Sequence, residues 1–208
     1  MKHVFVAALI CFASIGVVEK VSADPILSDA DPALAGSTLI DYNSLALGAF
    51  SSAVVGDVTI SGIGGNLTIS DDANGQYAPP QSAGDRFLDN RFGNIHLEWV
   101  FGSTTSAFGM VLGAVNFPQL LTAYDASNNV IETLAVPALR AQAGFYGIAA
   151  GGIARATLTG NLGDWIVTDD FRYVQGSVSP EPVPEPSTLA LLGLGLAAGV
   201  RRHRRRKA

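Results

Sequence analysis

Between residues 24 and 186 the chain has no cysteine, no lysine and a single histidine, His96. Without cysteine there are no disulfides, so stability outside the cell would rest on the core or on bound ions. Without lysine or cysteine, with one imidazole and with no Gly-x-Ser-x-Gly elbow, the usual nucleophile and base pairs cannot be assembled. Positive charge is scarce as well. The same stretch holds five arginines against seventeen acidic residues, a net of −12, which repels nucleic acid and tolerates divalent cations. Helical periodicity is also missing, since no window carries an apolar stripe at helical spacing over three turns.

What is present begins with the two ends. Lys2 supplies a positive start, residues 4–18 an apolar run, and Val21-Ser22-Ala23 a small-residue cleavage site before Asp24, the pattern of a secretory signal peptide. Cys11 lies inside the apolar run, and Ala8-Leu9-Ile10 lacks the small residues that a lipoprotein cleavage site needs. At the other end, Val183-Pro184-Glu185-Pro186 precedes an apolar run over 189–200 and the block Arg201-Arg202-His203-Arg204-Arg205-Arg206-Lys207. As a helix that run would be about 18 Å long against roughly 30 Å of hydrocarbon, short for a permanent anchor. The basic block directly behind it reads as a positive-inside stop rather than a nucleic-acid site. These termini inflate the mean hydropathy of +0.31.

The body between them reads as all-β. Ile95, Leu97, Trp99 and Phe101 alternate with His96, Glu98 and Val100. Phe108, Met110, Leu112 and Ala114 form a second run after an expected polar turn at 102–106. Trp99 and Trp165 sit at alternating positions and are expected in the core. A hairpin is predicted from 120–125 to 130–136 through Ala126-Ser127-Asn128-Asn129, because Asn tolerates the left-handed backbone of a tight turn. Further strands are predicted at 39–42, 46–55, 58–61, 66–70, 145–149, 153–159 and 165–174. Short strands with turns every eight to twelve residues suggest an antiparallel two-sheet sandwich of jelly-roll type. The polar stretch 71–94 interrupts that rhythm and reads as one long functional loop.

Acid pairs at Asp71-Asp72, Asp85 with Asp89, and Asp169-Asp170 are the only groups suited to catalysis, and glycoside hydrolysis needs two carboxyls about 5–9 Å apart. A domain this small is a poor host for such a cleft, and the chain reads as no enzyme. Calcium is the better use of the acids, with Asp41, Asp72, Asp169 and Asp170 as ligands, the alternative being solvated turn acids. Asp72-Ala73-Asn74-Gly75 starts like an EF-hand loop but lacks the later ligands.

The tail as a whole resembles the PEP-CTERM sorting signal of bacterial exosortase substrates. That resemblance implies export, a pause in the inner membrane, processing near Val183, Pro184, Glu185 and Pro186 by an exosortase-type membrane enzyme, and delivery to the surface or matrix of a Gram-negative, exopolysaccharide-making cell. The expected division is a signal peptide at 1–23, an ectodomain at 24–175, a linker at 176–182, and the sorting signal at 183–208 with a short transmembrane helix in the precursor. A looser resemblance lies in Gly144-Phe145-Tyr146-Gly147-Ile148 and Asp169-Asp170-Phe171-Arg172-Tyr173. These look like the closing strands of jelly-roll ectodomains similar to carbohydrate-binding modules. Three functions follow as expectations, in order: a non-catalytic exopolysaccharide-associated surface protein, a lectin-like module holding sugar through Tyr77, Arg86, Phe87, Arg91 and Phe92, and last a small glycan-active enzyme.

Overall fold

The computed structural model describes residues 23–71, 86–90, 96–140, 142–161 and 163–176. Within them run β1 (Asp24–Ile26), β2 (Thr38–Ile40), β3 (Gly48–Phe50), β4 (Ser52–Val55), β5 (Val58–Ile63), β6 (Leu67–Ser70), β7 (Phe87–Asp89), β8 (His96–Gly113), β9 (Gln119–Tyr124), β10 (Val130–Val136), β11 (Gly144–Gly160) and β12 (Val167–Gln175), with one 3-10 turn at Pro32–Leu34. Every pairing is antiparallel. The all-β sandwich expected from the alternation is the fold of the body.

Two strands, β8 and β11, belong to both layers. The first half of β8 pairs with β5, and its second half with β12. β11 follows β8 throughout, with register breaks between Ala149 and Ile153 and between Ile153 and Arg155. Both strands therefore bend from one layer into the other, β8 around 102–104 and β11 around 150–152. Layer I reads β4-β5-β8-β11-β9-β10. Layer II reads β1-β11-β8-β12, with β2 and β7 sharing the free edge of β12 and β6 and β3 continuing outward from β7.

The expected turn at 102–106 is thus the bend of a continuous strand. Gly102, Ser103 and Thr104 are exposed, yet Thr105 still pairs with Ile153 and with Gln175. The strand turns from one layer into the other without losing its ladder, so polar composition marks the bend without ending the strand. The runs 145–149 and 153–159 likewise join into β11.

Between the layers, Val58, Ile60, Leu97, Trp99, Leu121, Ala156 and Leu158 of layer I meet Phe108, Met110, Leu112, Ile148 and Phe171 of layer II, all without solvent exposure. Trp99 stacks on Phe171 at 5.4 Å between ring centroids, and Phe101 packs near Phe108, Phe171 and Tyr173. Tyr42 is buried here too, and burial pushes its phenol far above the ordinary value of 10.0. The folded chain keeps a proton that the unfolded chain loses near pH 10. Its contribution is therefore complete below that pH and lost as pH rises through the folded value. Urea midpoints are expected to be flat to about pH 9.5 and to fall beyond it. Tyr42→Phe should remove most of that fall, the remainder belonging to Tyr146, which is also raised by burial.

The outer face of layer II is covered by the chain's own start. Asp31 caps the turn at Pro32–Leu34 by accepting from the Ala33 amide at 2.9 Å. The segment then sets Ile26 and Leu34 against Ala107, with Phe145, Ala149 and Val174 alongside. Gly147 and Gly109 stand opposite each other beneath it. A Cβ on Gly147 would run into the Phe108 carbonyl oxygen and lie 2.6 Å from the Gly109 Cα. Backbone cannot swing aside as a side chain can. Gly147→Ala is expected to lower stability by about 1–3 kcal/mol, read as a shifted urea midpoint.

Candidate functional site

Because the N-terminal segment covers layer II, the outer face of layer I is the broad surface left to carry function. The alternation turns Ser61, Glu98, Thr157, Thr122 and Thr133 outward along one row across five strands. Ser61 donates to Glu98 Oε2 at 3.1 Å, and Arg155 donates to Glu98 Oε1 at 3.1 Å. The Thr122 and Thr133 hydroxyls are 3.3 Å apart. Arg155 also lays its guanidinium over the Tyr124 ring at 3.8 Å from the centroid. Both partners of the ion pair keep about a quarter of their side-chain surface exposed, 24% and 22%, so the pair contributes under about 1 kcal/mol. Its main effect is to hold Arg155 flat on Tyr124. The exposed apolar residues Val54, Ile63, Val100 and Leu120 flank the row. Thr122 and Thr157 are buried within the row, so the face offers the Ser61 and Thr133 hydroxyls, the Glu98 carboxylate, the Arg155 guanidinium and apolar surface.

Of the expected sugar-binding set, Tyr77, Arg91 and Phe92 lie outside the described residues. Phe87 is 1% exposed and packs with Ala114, Val167 and Trp165, so it offers no ring to a sugar. The stretch 71–94 is not one loop, because β7 crosses it. Phe87 and Leu88 bury on opposite sides of that strand, and Asp89 accepts from the Ser70 hydroxyl at 2.6 Å. Arg86 is spent on the neighbouring segment, its amide donating to Asn43 Oδ1 at 2.8 Å and its guanidinium donating to the carbonyls of Asn43 and Leu45.

Of the calcium set, Asp41, Asp169 and Asp170 are described. Asp41 accepts from the Asn43 amide at 3.1 Å, and Asp169, 4% exposed, accepts from the Asp170 amide at 2.8 Å. Asp72 lies outside the described residues, and among those described no three acidic, histidine or cysteine side chains gather around one point. Trp99 and Trp165 do pack inward as expected. Ala23 packs against the core and Asp24 opens β1 opposite Ala149.

Alternation with Leu97, Trp99 and Phe101 puts Glu98 on the outer face. It could not show that Glu98 meets a residue 57 positions away, since register across strands is set by tertiary pairing. Open apolar hollows also lie among the described residues. One of about 360 Å³ is lined by Leu27, Leu134, Ala135, Pro137, Phe145 and Tyr146, and one of about 260 Å³ includes Leu45, Leu47, Phe50 and Ile69. Neither has the convergent polar groups that orient a small ligand.

The sorting tail lies beyond the described residues, and a family model decides its nature: residues 182–206 match the PEP-CTERM protein-sorting motif. The chain carries a PEP-CTERM sorting signal. The match takes in Val183, Pro184, Glu185 and Pro186, the apolar run and most of the basic block. A PEP-CTERM signal implies an exosortase-targeted protein exported through the membrane to the cell surface or beyond. Comparison with curated proteins gives no match. Among solved structures, 58% of the chain overlays on 19% of the enzymatically active domain of tailspike protein 4 from bacteriophage CBA120, at 12% identity and a TM-score of 0.35. Similarly, 61% of it overlays on 27% of the CBM22-1–GH10 modules of endo-1,4-β-D-xylanase 10B from Clostridium thermocellum, complexed with xylohexaose, at 13% identity and a TM-score of 0.34. The chain thus spans about a fifth and about a quarter of those two proteins.

Proposed function

We propose that this PEP-CTERM chain is a non-catalytic surface or matrix protein of an exopolysaccharide-making cell. Export begins with cleavage between Ala23 and Asp24. An exosortase-type enzyme then acts near Pro184-Glu185-Pro186, and the acidic sandwich stays outside, in contact with polysaccharide. The observation that carries this reading is the matched signal at 182–206 behind a folded body. The start of β1 at Asp24 agrees with cleavage just before it. The short apolar run suits a temporary stop in the inner membrane better than a permanent span.

The described acids support a non-catalytic role, because they already hold structure. Asp31 caps a turn, Asp89 binds Ser70, Asp125 closes the hairpin, and Asp164 gathers the amides of Asn116 and Phe117. A polymer would lie across the open face of layer I through many weak contacts, where repetition along the chain supplies the strength.

The test is Glu185→Ala in the full-length chain, followed in the producing cell by immunoblots of membrane and surface fractions. The expected result is accumulation of the unprocessed precursor in the membrane and loss of most of the surface form. Processing and delivery at the wild-type level would overturn the reading.

A further inference from the structure

The two segments that address this chain to the membrane are attached to the same end of the body. In layer II, Asp24 of β1 stands opposite Ala149, Ala149 opposite Ala107, and Ala107 opposite Val174 of β12. These four residues form one row across adjacent strands, which places residues 24 and 174 about 14 Å apart at about 4.8 Å per strand. The chain enters at one side of that row and leaves at the other, where the Gly176 amide donates to the Thr104 carbonyl at 2.8 Å. This is the end at which β8 and β11 bend between layers. The hairpin turn at Asp57 is fastened to it, with the Gly102 amide donating to the Asp57 carbonyl at 2.7 Å and Gln175 Nε2 donating to Asp57 Oδ2 at 3.1 Å. The hairpin at Asp125 also turns here, because Tyr124 is paired with Arg155 just past the bend.

The opposite end gathers the other connections. β8 ends there at Gly113, β10 at Val136, and β11 both starts and finishes there, at Gly144 and Gly160. The amides of Leu139 and Arg140 donate to the Val115 carbonyl at 2.7 and 2.8 Å, tying the connection after β10 across that end. From Thr105 to Gly113 the strand separates the two ends by about 26 Å.

We propose that the body is displayed end-on, with the bend toward the membrane and the Val115–Arg140 end facing outward. The proposal rests on the reading of the PEP-CTERM tail as a membrane-held signal. Entry and exit at one end mean that the body stands beside the bilayer in one sense only, whether it is held by its N-terminal segment, its tail or both. Asp24, Asp57 and Asp125 make the bend end acidic, so anionic headgroups hold it off rather than bind it. The surfaces presented outward are then the exposed Phe117 and the connection at 137–140, with the face of layer I turned to the side.

The experiment uses the full-length chain with Cys11→Ser, which leaves no cysteine, reconstituted in phosphatidylcholine vesicles that contain a rhodamine-labelled lipid. Single cysteines replace exposed residues at the bend (Ser103→Cys, Ser127→Cys) or at the far end (Ala138→Cys, Asn161→Cys), and each carries a donor fluorophore. Energy transfer to the lipid plane is expected to be at least twofold greater from the bend positions than from the far ones. Equal transfer from both ends, or greater transfer from the far end, overturns the end-on placement. Vesicle flotation distinguishes that outcome from failure of the sorting reading. If the full chain does not float with the vesicles, the membrane-held tail falls and the end-on placement falls with it; flotation that persists without residues 189–208 but is lost when residues 1–23 are also removed overturns the tail as the hold and leaves the transfer comparison to decide the placement.

Discussion

Replacing Asp164 with alanine is expected to destabilise the body by about 3–5 kcal/mol, the range for stranding donors around a buried carboxylate. Asp164 is 2% exposed and sits where the far-end connections cross. Its two oxygens accept from the Asn116 amide at 3.2 and 3.0 Å, the Phe117 amide at 3.1 Å, Asn116 Nδ2 at 3.0 Å and Gln119 Nε2 at 3.1 Å. Nearby, Asn90 Nδ2 donates to the Asp164 carbonyl at 2.9 Å, and the Ile166 amide donates to Asn90 Oδ1 at 3.0 Å. Alanine would take the shared acceptor from the Asn116 and Phe117 amides, while Asn116 Nδ2 and Gln119 Nε2 would keep only their bonds to the carbonyls of Ala114 and Phe117. Asp164→Asn keeps the shape but turns an amide toward those donors, so its loss should be smaller, about half. Thermal melts are the measurement, with an expected fall of roughly 10–15 °C for the alanine variant. A loss under about 1 kcal/mol would show that solvent replaces the carboxylate and that this end is open.

The second large effect is expected at Trp99. Trp99→Ala removes a fully buried indole stacked on Phe171 with 12° between the ring planes. Both rings lie where the two layers face each other, so the layers cannot close over the space independently. The cost is set at about 3–5 kcal/mol, transfer and cavity together. Trp99→Phe keeps part of the stack and should recover most of that stability in urea titrations. Equal losses for the two variants would mean that the indole nitrogen, rather than the ring contact, holds the layers together.

Some of this architecture is legible from local pattern. The hairpin between β9 and β10 was predicted from its turn residues, and the structure places Asn128 at φ 63°. The Asp125 carboxylate there accepts from the Asn129 side chain and from the amides of Asn129 and Ser127, which holds it below the usual carboxylate range. The inward positions of Leu97, Trp99, Phe108 and Met110 follow from alternation with polar neighbours. Other features leave no local trace. Three residues, Phe87 to Asp89, are too few to show a period, and they form a strand only because β6 and β12 offer edges on either side. That pairing removed Phe87 from the expected sugar site and divided the expected loop.

By itself, the sequence determined a cysteine-free, acidic, all-β body followed by a PEP-CTERM tail, and the composition and spacing of short segments suffice for that. The tertiary structure decided that β8 and β11 bend through both layers, that the chain's own start covers layer II, and that Glu98, Arg155 and Tyr124 share the face left open. It also decided that residues 24 and 174 lie on one row beside the bend. These depend on strand register over separations of 57 to more than 100 residues, where a one-residue slip would turn every side chain to the opposite face.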